Sequence, residues 1–216
     1  MEDLQAFVEP TEVIDSHHPR IRELAAEACA GADGQAERAR RLFERVRDGI
    51  RYTVNAPFHL REHYRASAVL ARGYGYCVQK AVVLAAAARA SGIPARLAFA
   101  DIINHRAPAA LVERMGSRVF TYHSYTELLL AGRWLQVTPA FDRALCAERG
   151  FPLVVFDGHD DAIFPALDEA GQPFVEYVIR RGSFADLPFE EILAGWIAAY
   201  GSERVEEWSR AAGLGG

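Results

Sequence analysis

Cys77 stands where this sequence most readily provides a thiol nucleophile. It follows a glycine-spaced turn at residues 73–76 and precedes a run rich in alanine, valine and leucine. That composition favours a helix, and Gly92 with Pro94 is typical of a helix end. A cysteine in the first turn faces unpaired backbone N–H groups, which lower the pKa of a thiol and can hold an oxyanion. The competing interpretation is a core cysteine, because free cysteines are among the most buried residues.

His123 is the candidate base for this thiol. A cysteine nucleophile needs a base within hydrogen-bond reach and a third group that orients the base. His123 lies near the start of a strand predicted at residues 120–130, and a tight turn joins this strand to another at 133–138. A lone histidine on a strand is usually structural. Here, however, the strand belongs to a sheet that we expect to cover the cysteine helix.

The elements around these two residues predict an α+β fold. We expect N-terminal helices and the cysteine-bearing helix to pack on a mostly antiparallel sheet, followed by a C-terminal helix. Strands are predicted at residues 95–103, 120–130, 133–138, 153–156 and 174–179. The chain is interpreted as one domain over residues 1–216, with a core at about 35–142 and an extension of strand and helix at 143–216.

Composition excludes several classes of protein. Aspartate and glutamate number 29 against 24 lysines and arginines, so the net charge is −5 and nucleic-acid or anionic-membrane partners are not expected. The first five residues form no apolar leader, and the longest apolar run, residues 81–88, is too short to cross a bilayer. Three widely spaced cysteines make neither a disulfide framework nor a CxxC site. We therefore expect a cytoplasmic protein with reduced cysteines.

No metal or organic cofactor is expected. His59 and His63 have the spacing of two helical metal ligands. Pro57 and the absence of helical periodicity between residues 51 and 65 argue against a metal site at that place.

Two motifs together resemble the transglutaminase-like superfamily. The first is Gly-Tyr-Cys at residues 75–77, followed by the alanine-rich helix and Gly-Ile-Pro-Ala-Arg at 92–96. The second is His-Ser-Tyr-Thr-Glu at 123–127, followed by Gly-Arg-Trp-Leu-Gln-Val at 132–137. The resemblance spans about residues 35–142. It implies a papain-like arrangement with a Cys, His, Asp triad in which Cys77 is the nucleophile and His123 the base.

The third member of that triad does not match. The family usually has its acid directly before the proline that ends the second strand, where this chain has Thr138. If the three strands are antiparallel neighbours, Asp101 and Thr138 flank His123 from opposite sides. We therefore predict that Asp101 orients His123, with Asp142 as the second candidate. The alternative for Asp101 is a cap or turn residue at a strand end.

These observations lead to two functional hypotheses. In the first, Cys77 forms an acyl-enzyme with a peptide, an amide or an acyl thioester, free or bound to a carrier protein. Transfer to water would make the protein a hydrolase, transfer to an amine a transamidase, and transfer to a substrate carbon a Dieckmann-type cyclase. Some transglutaminase-like bacterial proteins are similar to such cyclases. In the second, the chain is a binding module that keeps the fold without catalysis. Thr138 favours the module, whereas the presence of Cys77 and His123 favours the enzyme.

Overall fold

The computed structural model describes residues 4–213. Its helices are α1 (Pro19–Cys29), α2 (Gly34–Gly49), α3 (Ala66–Arg72), α4 (Cys77–Ala90), α5 (Ala109–Met115), α6 (Arg143–Arg149), α7 (Phe189–Tyr200) and α8 (Ser202–Gly213). Its strands are β1 (Arg51–Tyr52), β2 (Tyr74–Gly75), β3 (Ala95–Asn104), β4 (Val119–Leu130), β5 (Arg133–Val137) and β6 (Val175–Phe184). Short 3-10 helices lie at Leu4–Phe7 and Arg61–Tyr64.

Four strands form an antiparallel sheet in the order β5-β4-β3-β6. The predicted pairing of residues 95–103, 120–130 and 133–138 as neighbours is confirmed, and the α+β class with it. Ala100 of β3 lies opposite His123 of β4, and Thr126 of β4 lies opposite Val137 of β5. The predicted strand at 174–179 is present and continues to Phe184 as the partner of β3.

The strand predicted at residues 153–156 is wrong, because this segment pairs with no strand. It is held against α2 instead. The Arg47 guanidinium donates to the carbonyl of Val154 at 2.8 Å, and the Phe156 ring meets the Phe43 ring at 5.7 Å. The apolar run therefore reflects burial of Val154 and Phe156 beside a helix, whereas Val155 between them is 65% exposed.

Helix α4 is buried along nearly its whole length, which fixes the position of Cys77 at its first turn. Thr126 of β4 donates its hydroxyl to the carbonyl of Ala81 at 3.0 Å, joining the helix to the sheet. Lys80 donates to the carbonyls of Arg47 and Ile50 at 2.8 and 2.6 Å, at the end of α2. The two bonds from Lys80 satisfy carbonyls at the C-terminal end of α2 that have no partner within that helix.

None of the helices between residues 4 and 213 combines the length and the apolar character needed to cross a bilayer.

Candidate active site

Cys77 begins α4, and backbone N–H groups surround its sulfur. The N–H groups of Cys77, Val78 and Ser124 all favour the thiolate. Burial acts in the opposite direction and is the larger effect, so the pKa of the Cys77 thiol is raised to about 11. The N–H groups at the helix start lower this pKa as expected, but desolvation outweighs them, so the expected net lowering is wrong. Cys77 is a protonated thiol at neutral pH.

His123 is also uncharged at neutral pH. The residue is 4% exposed, and burial lowers the pKa of its imidazole to about 3. Two aromatic rings lie beside it, Phe164 at 5.4 Å and Tyr177 at 6.1 Å between ring centroids. Its Nε2 atom is buried and has no hydrogen-bond partner among the residues that the structure describes. An imidazole in such surroundings is in its neutral, singly protonated form.

Cys77 and His123 line the same cavity, which measures about 750 Å³. The structure thus brings together the two residues that the sequence singles out as nucleophile and base. The other walls come from residues 52–58, from α5, from α7 and α8, and from the stretch between Ala140 and Phe151. A cavity of this size falls within the range of about 300–1,000 Å³ typical of small-molecule sites.

Comparison with known proteins identifies the family of the chain. The family model of the transglutaminase-like superfamily matches residues 22–139, which is more than half of the chain. The chain belongs to the transglutaminase-like superfamily. No curated protein matches it.

Two solved structures resemble this transglutaminase-like chain. One is a Cytophaga hutchinsonii protein provisionally named a cysteine protease, with 14% identity and a TM-score of 0.54 over 89% of this chain and 50% of that protein. The chain thus spans half the length of that structure, and the likeness shows the shared fold. The other is a Parabacteroides distasonis protein provisionally named a protease, with 13% identity and a TM-score of 0.39 over 62% of this chain and 24% of that one.

Asp101, predicted to orient the histidine, is bonded elsewhere in this transglutaminase-like fold. Arg181 of β6 holds both of its carboxylate oxygens, at 2.5 and 2.6 Å, and the backbone N–H of Tyr122 donates to it at 3.1 Å. The structure therefore does not place Asp101 on the Nε2 of His123. Two features produce this arrangement: β3 shifts its register between Ala100 and Ile102, and β6, which carries Arg181, pairs with β3. A role for Asp101 in catalysis stays a prediction.

The other two candidates for the third position also differ from a triad acid. Asp142 caps α6 by accepting from the N–H of Leu145 at 2.9 Å, and it accepts from the N–H of Tyr52 at 2.8 Å. Thr138 follows β5 directly, and its hydroxyl is buried with no hydrogen-bond partner among the described residues. The acid position of the superfamily is thus occupied here by an uncharged side chain.

Helix α7 holds the beginning of β4 in place, a role that the sequence analysis missed. The Tyr200 hydroxyl accepts from the N–H of Thr121 at 2.7 Å and donates to the carbonyl of Val119 at 3.0 Å. Trp196 donates its indole N–H to the carbonyl of Thr121 at 3.1 Å. The four-residue spacing of Trp196 and Tyr200 places both on one helix face, which is the signal in the sequence.

Tyr122, the residue directly before His123, has a φ of +59°. This left-handed conformation is rare for a residue with a bulky side chain. The Arg181 guanidinium lies 4.6 Å from the centroid of the Tyr122 ring. A Cβ atom at Gly195 of α7 would lie 2.3 Å from that ring, so the glycine is needed for this close approach.

Gln79 is a structural residue of α4. Its side chain is fully buried and donates to the carbonyl of Pro57 at 2.7 Å. Its amide oxygen accepts from the N–H of Tyr76 at 3.3 Å. These bonds tie the wall of the cavity at residues 52–58 to the first turn of α4.

The rings of His59 and His63 lie 4.7 Å apart between their centroids. Between residues 4 and 213, the structure places no cluster of three or more histidine, cysteine or acidic side chains suited to a metal ion.

Proposed function

We propose that the protein catalyses cysteine-dependent acyl transfer or hydrolysis, with Cys77 as nucleophile and His123 as base. The observation that supports this most strongly is that both side chains line one cavity, with the sulfur at the first turn of a buried helix. Such a pair, together with helix N-terminal N–H groups, is the minimum required for nucleophilic attack on an acyl carbon.

The proposed reaction starts from the uncharged pair. As the sulfur of Cys77 attacks the carbonyl carbon, its proton passes to His123. The negative charge that develops on the carbonyl oxygen is stabilised by backbone N–H groups at the start of α4. The bond to the leaving group then breaks, and the leaving group takes the proton from His123. Water or another acceptor attacks the acyl-enzyme by the same steps in reverse and restores the thiol.

The electrostatics favour an activated acyl donor over an amide. Among the described residues, no carboxylate lies on Nε2 of His123 to stabilise an imidazolium, and the buried imidazole is a poor proton acceptor. A thiol leaving group, with a pKa of about 8.5, departs as its anion far more easily than an amine does. An acyl thioester, free or bound to a carrier protein, is therefore the substrate class that suits this site best.

The test is acylation of the protein by an acyl thioester of N-acetylcysteamine, followed by free-thiol release and by peptide mass spectrometry. The proposal predicts one acyl group on Cys77 and turnover that is lost in Cys77→Ala. The matched control is Cys29→Ala, which removes a cysteine of α1 whose sulfur lies 3.5 Å from the Ser91 hydroxyl. Modification of Cys29 instead, or turnover that survives Cys77→Ala, would refute the assignment of Cys77. Absence of both acylation and turnover in the parent protein would favour a non-catalytic binding module.

A further inference from the structure

Aromatic side chains are concentrated around the cavity. Eleven of its thirty lining residues are phenylalanine, tyrosine or tryptophan, against 11% of these residues in the whole chain. Two of the three tryptophans, Trp196 and Trp208, and the methionine of α5, Met115, are among the lining residues. Aromatic rings provide large apolar contact areas with defined geometry, and methionine adapts to irregular apolar ligands.

Two clusters of packed rings line the cavity. In one, Phe58 lies edge-on to Trp196, with 5.3 Å between ring centroids, and Tyr76, next to Cys77, lies 6.5 Å from Trp196. In the other, Phe164 lies 4.7 Å from Phe141, and Phe164 is also the neighbour of His123. Each residue of the proposed catalytic pair is therefore close to an aromatic cluster.

The charges in the lining do not suit a cationic group. Glu207 is the one acidic residue among the thirty, against three arginines. Arg106 and Arg149 pair with Asp168 and Glu148 respectively, and Arg114 donates to the side-chain oxygen of Asn55 at 3.2 Å. Among the charged side chains of the lining, a lysine or another ammonium group would meet three arginines and one glutamate.

From these features we propose that the acyl group transferred to Cys77 is bulky and apolar and carries a ring, as in an arylalkanoyl thioester. This inference rests on the proposed function and specifies its substrate. Burial of a phenyl-sized group against these aromatic clusters contributes apolar contact that an acetyl group lacks. We therefore expect selection for ring-bearing acyl groups over small ones.

The test compares two probes, the acetyl and the 3-phenylpropionyl thioesters of N-acetylcysteamine. The expected kcat/KM is at least about tenfold higher for the phenylpropionyl probe, since even one methylene in an apolar pocket is worth roughly 10–200-fold. Equal values, or a preference for the acetyl probe, would overturn the inference and leave the assignment of Cys77 intact.

A matched pair of variants on α5 locates the acyl group. Leu111→Trp adds bulk on the cavity wall, and we expect it to lower the ratio of phenylpropionyl to acetyl kcat/KM by about tenfold. Glu113→Trp adds the same bulk to an exposed position of the same helix that does not line the cavity, and it should leave the ratio unchanged. An unchanged ratio in Leu111→Trp would place the acyl group elsewhere.

Binding to the Cys77→Ala protein separates this inference from the proposed function. Trp196 and Trp208 line the cavity, so fluorescence reports occupancy without turnover. Tighter binding of the phenylpropionyl probe than of the acetyl probe supports the apolar site even if neither probe acylates the parent protein. Equal or undetectable binding of both probes overturns it.

Discussion

Asp101 accepts a hydrogen bond from the backbone N–H of Tyr122, the residue directly before His123, at 3.1 Å. Arg181 holds the same carboxylate through two donors and lies over the Tyr122 ring. The carboxylate of β3 therefore fixes the backbone that presents His123, without a bond to Nε2 of the imidazole. We therefore predict that Asp101 acts as a positioning residue.

The first prediction concerns Asp101 and Arg181. Arg181→Met should lower the free energy of unfolding by about 1–2 kcal/mol, because it leaves the buried Asp101 carboxylate without its ion pair. The figure is below that of a fully buried pair, since the Arg181 side chain is 29% exposed. Denaturant unfolding measures this free energy in four proteins: the parent, Arg181→Met, Asp101→Asn and the double variant. The double variant should lose less stability than the sum of the single ones.

The same variants distinguish a positioning role from direct orientation. If Asp101 acts through the Tyr122 backbone, Asp101→Asn reduces turnover and leaves the pKa of His123 unchanged in an NMR titration. A fall of a full unit in that pKa would instead show a direct interaction with the imidazole, as the sequence analysis predicts.

The second prediction concerns Thr138, which directly follows β5, the strand beside β4. Val137 pairs with Thr126, the last pair of β4 and β5. If this register continues by one residue, Thr138 lies opposite Tyr125 and on the sheet face of His123. Thr138→Asp should raise the pKa of His123 from about 3 toward neutrality, because a nearby anion favours the imidazolium. The NMR titration of the His123 ring measures it.

Thr138→Asn is the control for that change, since it has the shape of aspartate without the charge. It should leave the His123 titration where it is in the parent protein. Equal shifts in both variants would show that the effect is not electrostatic.

The third prediction concerns the alkylation of Cys77 by iodoacetamide. Because the pKa of the thiol is about 11, the rate should rise with pH throughout the range from 7 to 10 and show no plateau near neutrality. Quantitative labelling with mass spectrometry of the Cys77 peptide gives the profile. A plateau below pH 7 would mean that the thiolate is stabilised by an imidazolium, contrary to this structure.

The fourth prediction is the effect of His123 on stability at acidic pH. Its pKa is about 3 in the folded state and 6.5 in the unfolded chain, so the unfolded chain binds more protons between these values. Stability should therefore fall as the pH falls from 6.5 toward 3, with a slope from this group of up to about 1.4 kcal/mol per pH unit.

His123→Phe removes that group and keeps an aromatic ring at the site. Unfolding by denaturant at pH 7 and pH 5 should show a smaller loss of stability in the variant than in the parent. If both proteins lose stability equally, His123 is not the buried neutral group described here.

The sequence predicted the fold, and it singled out Cys77 and His123, which line one cavity, because those features leave local signals. The alanine-rich run after Cys77 and the strand pair around Gly132 are visible as composition and alternation, and both are present as α4 and as β4 with β5. The prediction of a strand at 153–156 was wrong because an apolar run indicates that a segment is buried but not which element it packs against.

The environment of the site depends on contacts between distant residues, which local signals do not reveal. Arg181 lies 80 residues from Asp101, and Tyr200 lies 79 residues from Thr121. The sequence did not predict that β6 pairs with β3, and it therefore did not predict the ion pair between Arg181 and Asp101. The thiol pKa was misjudged for a related reason, because the burial of Cys77 comes from tertiary structure.

The most direct test of the account is peptide mass spectrometry after mixing with the 3-phenylpropionyl thioester of N-acetylcysteamine. Parent protein, Cys77→Ala, His123→Ala and Cys29→Ala are compared. The account predicts a phenylpropionyl group on Cys77 in the parent and in Cys29→Ala, none in Cys77→Ala, and greatly slowed formation in His123→Ala. Absence of any adduct on Cys77 in the parent, with thioester turnover equal to that of Cys77→Ala, would contradict it.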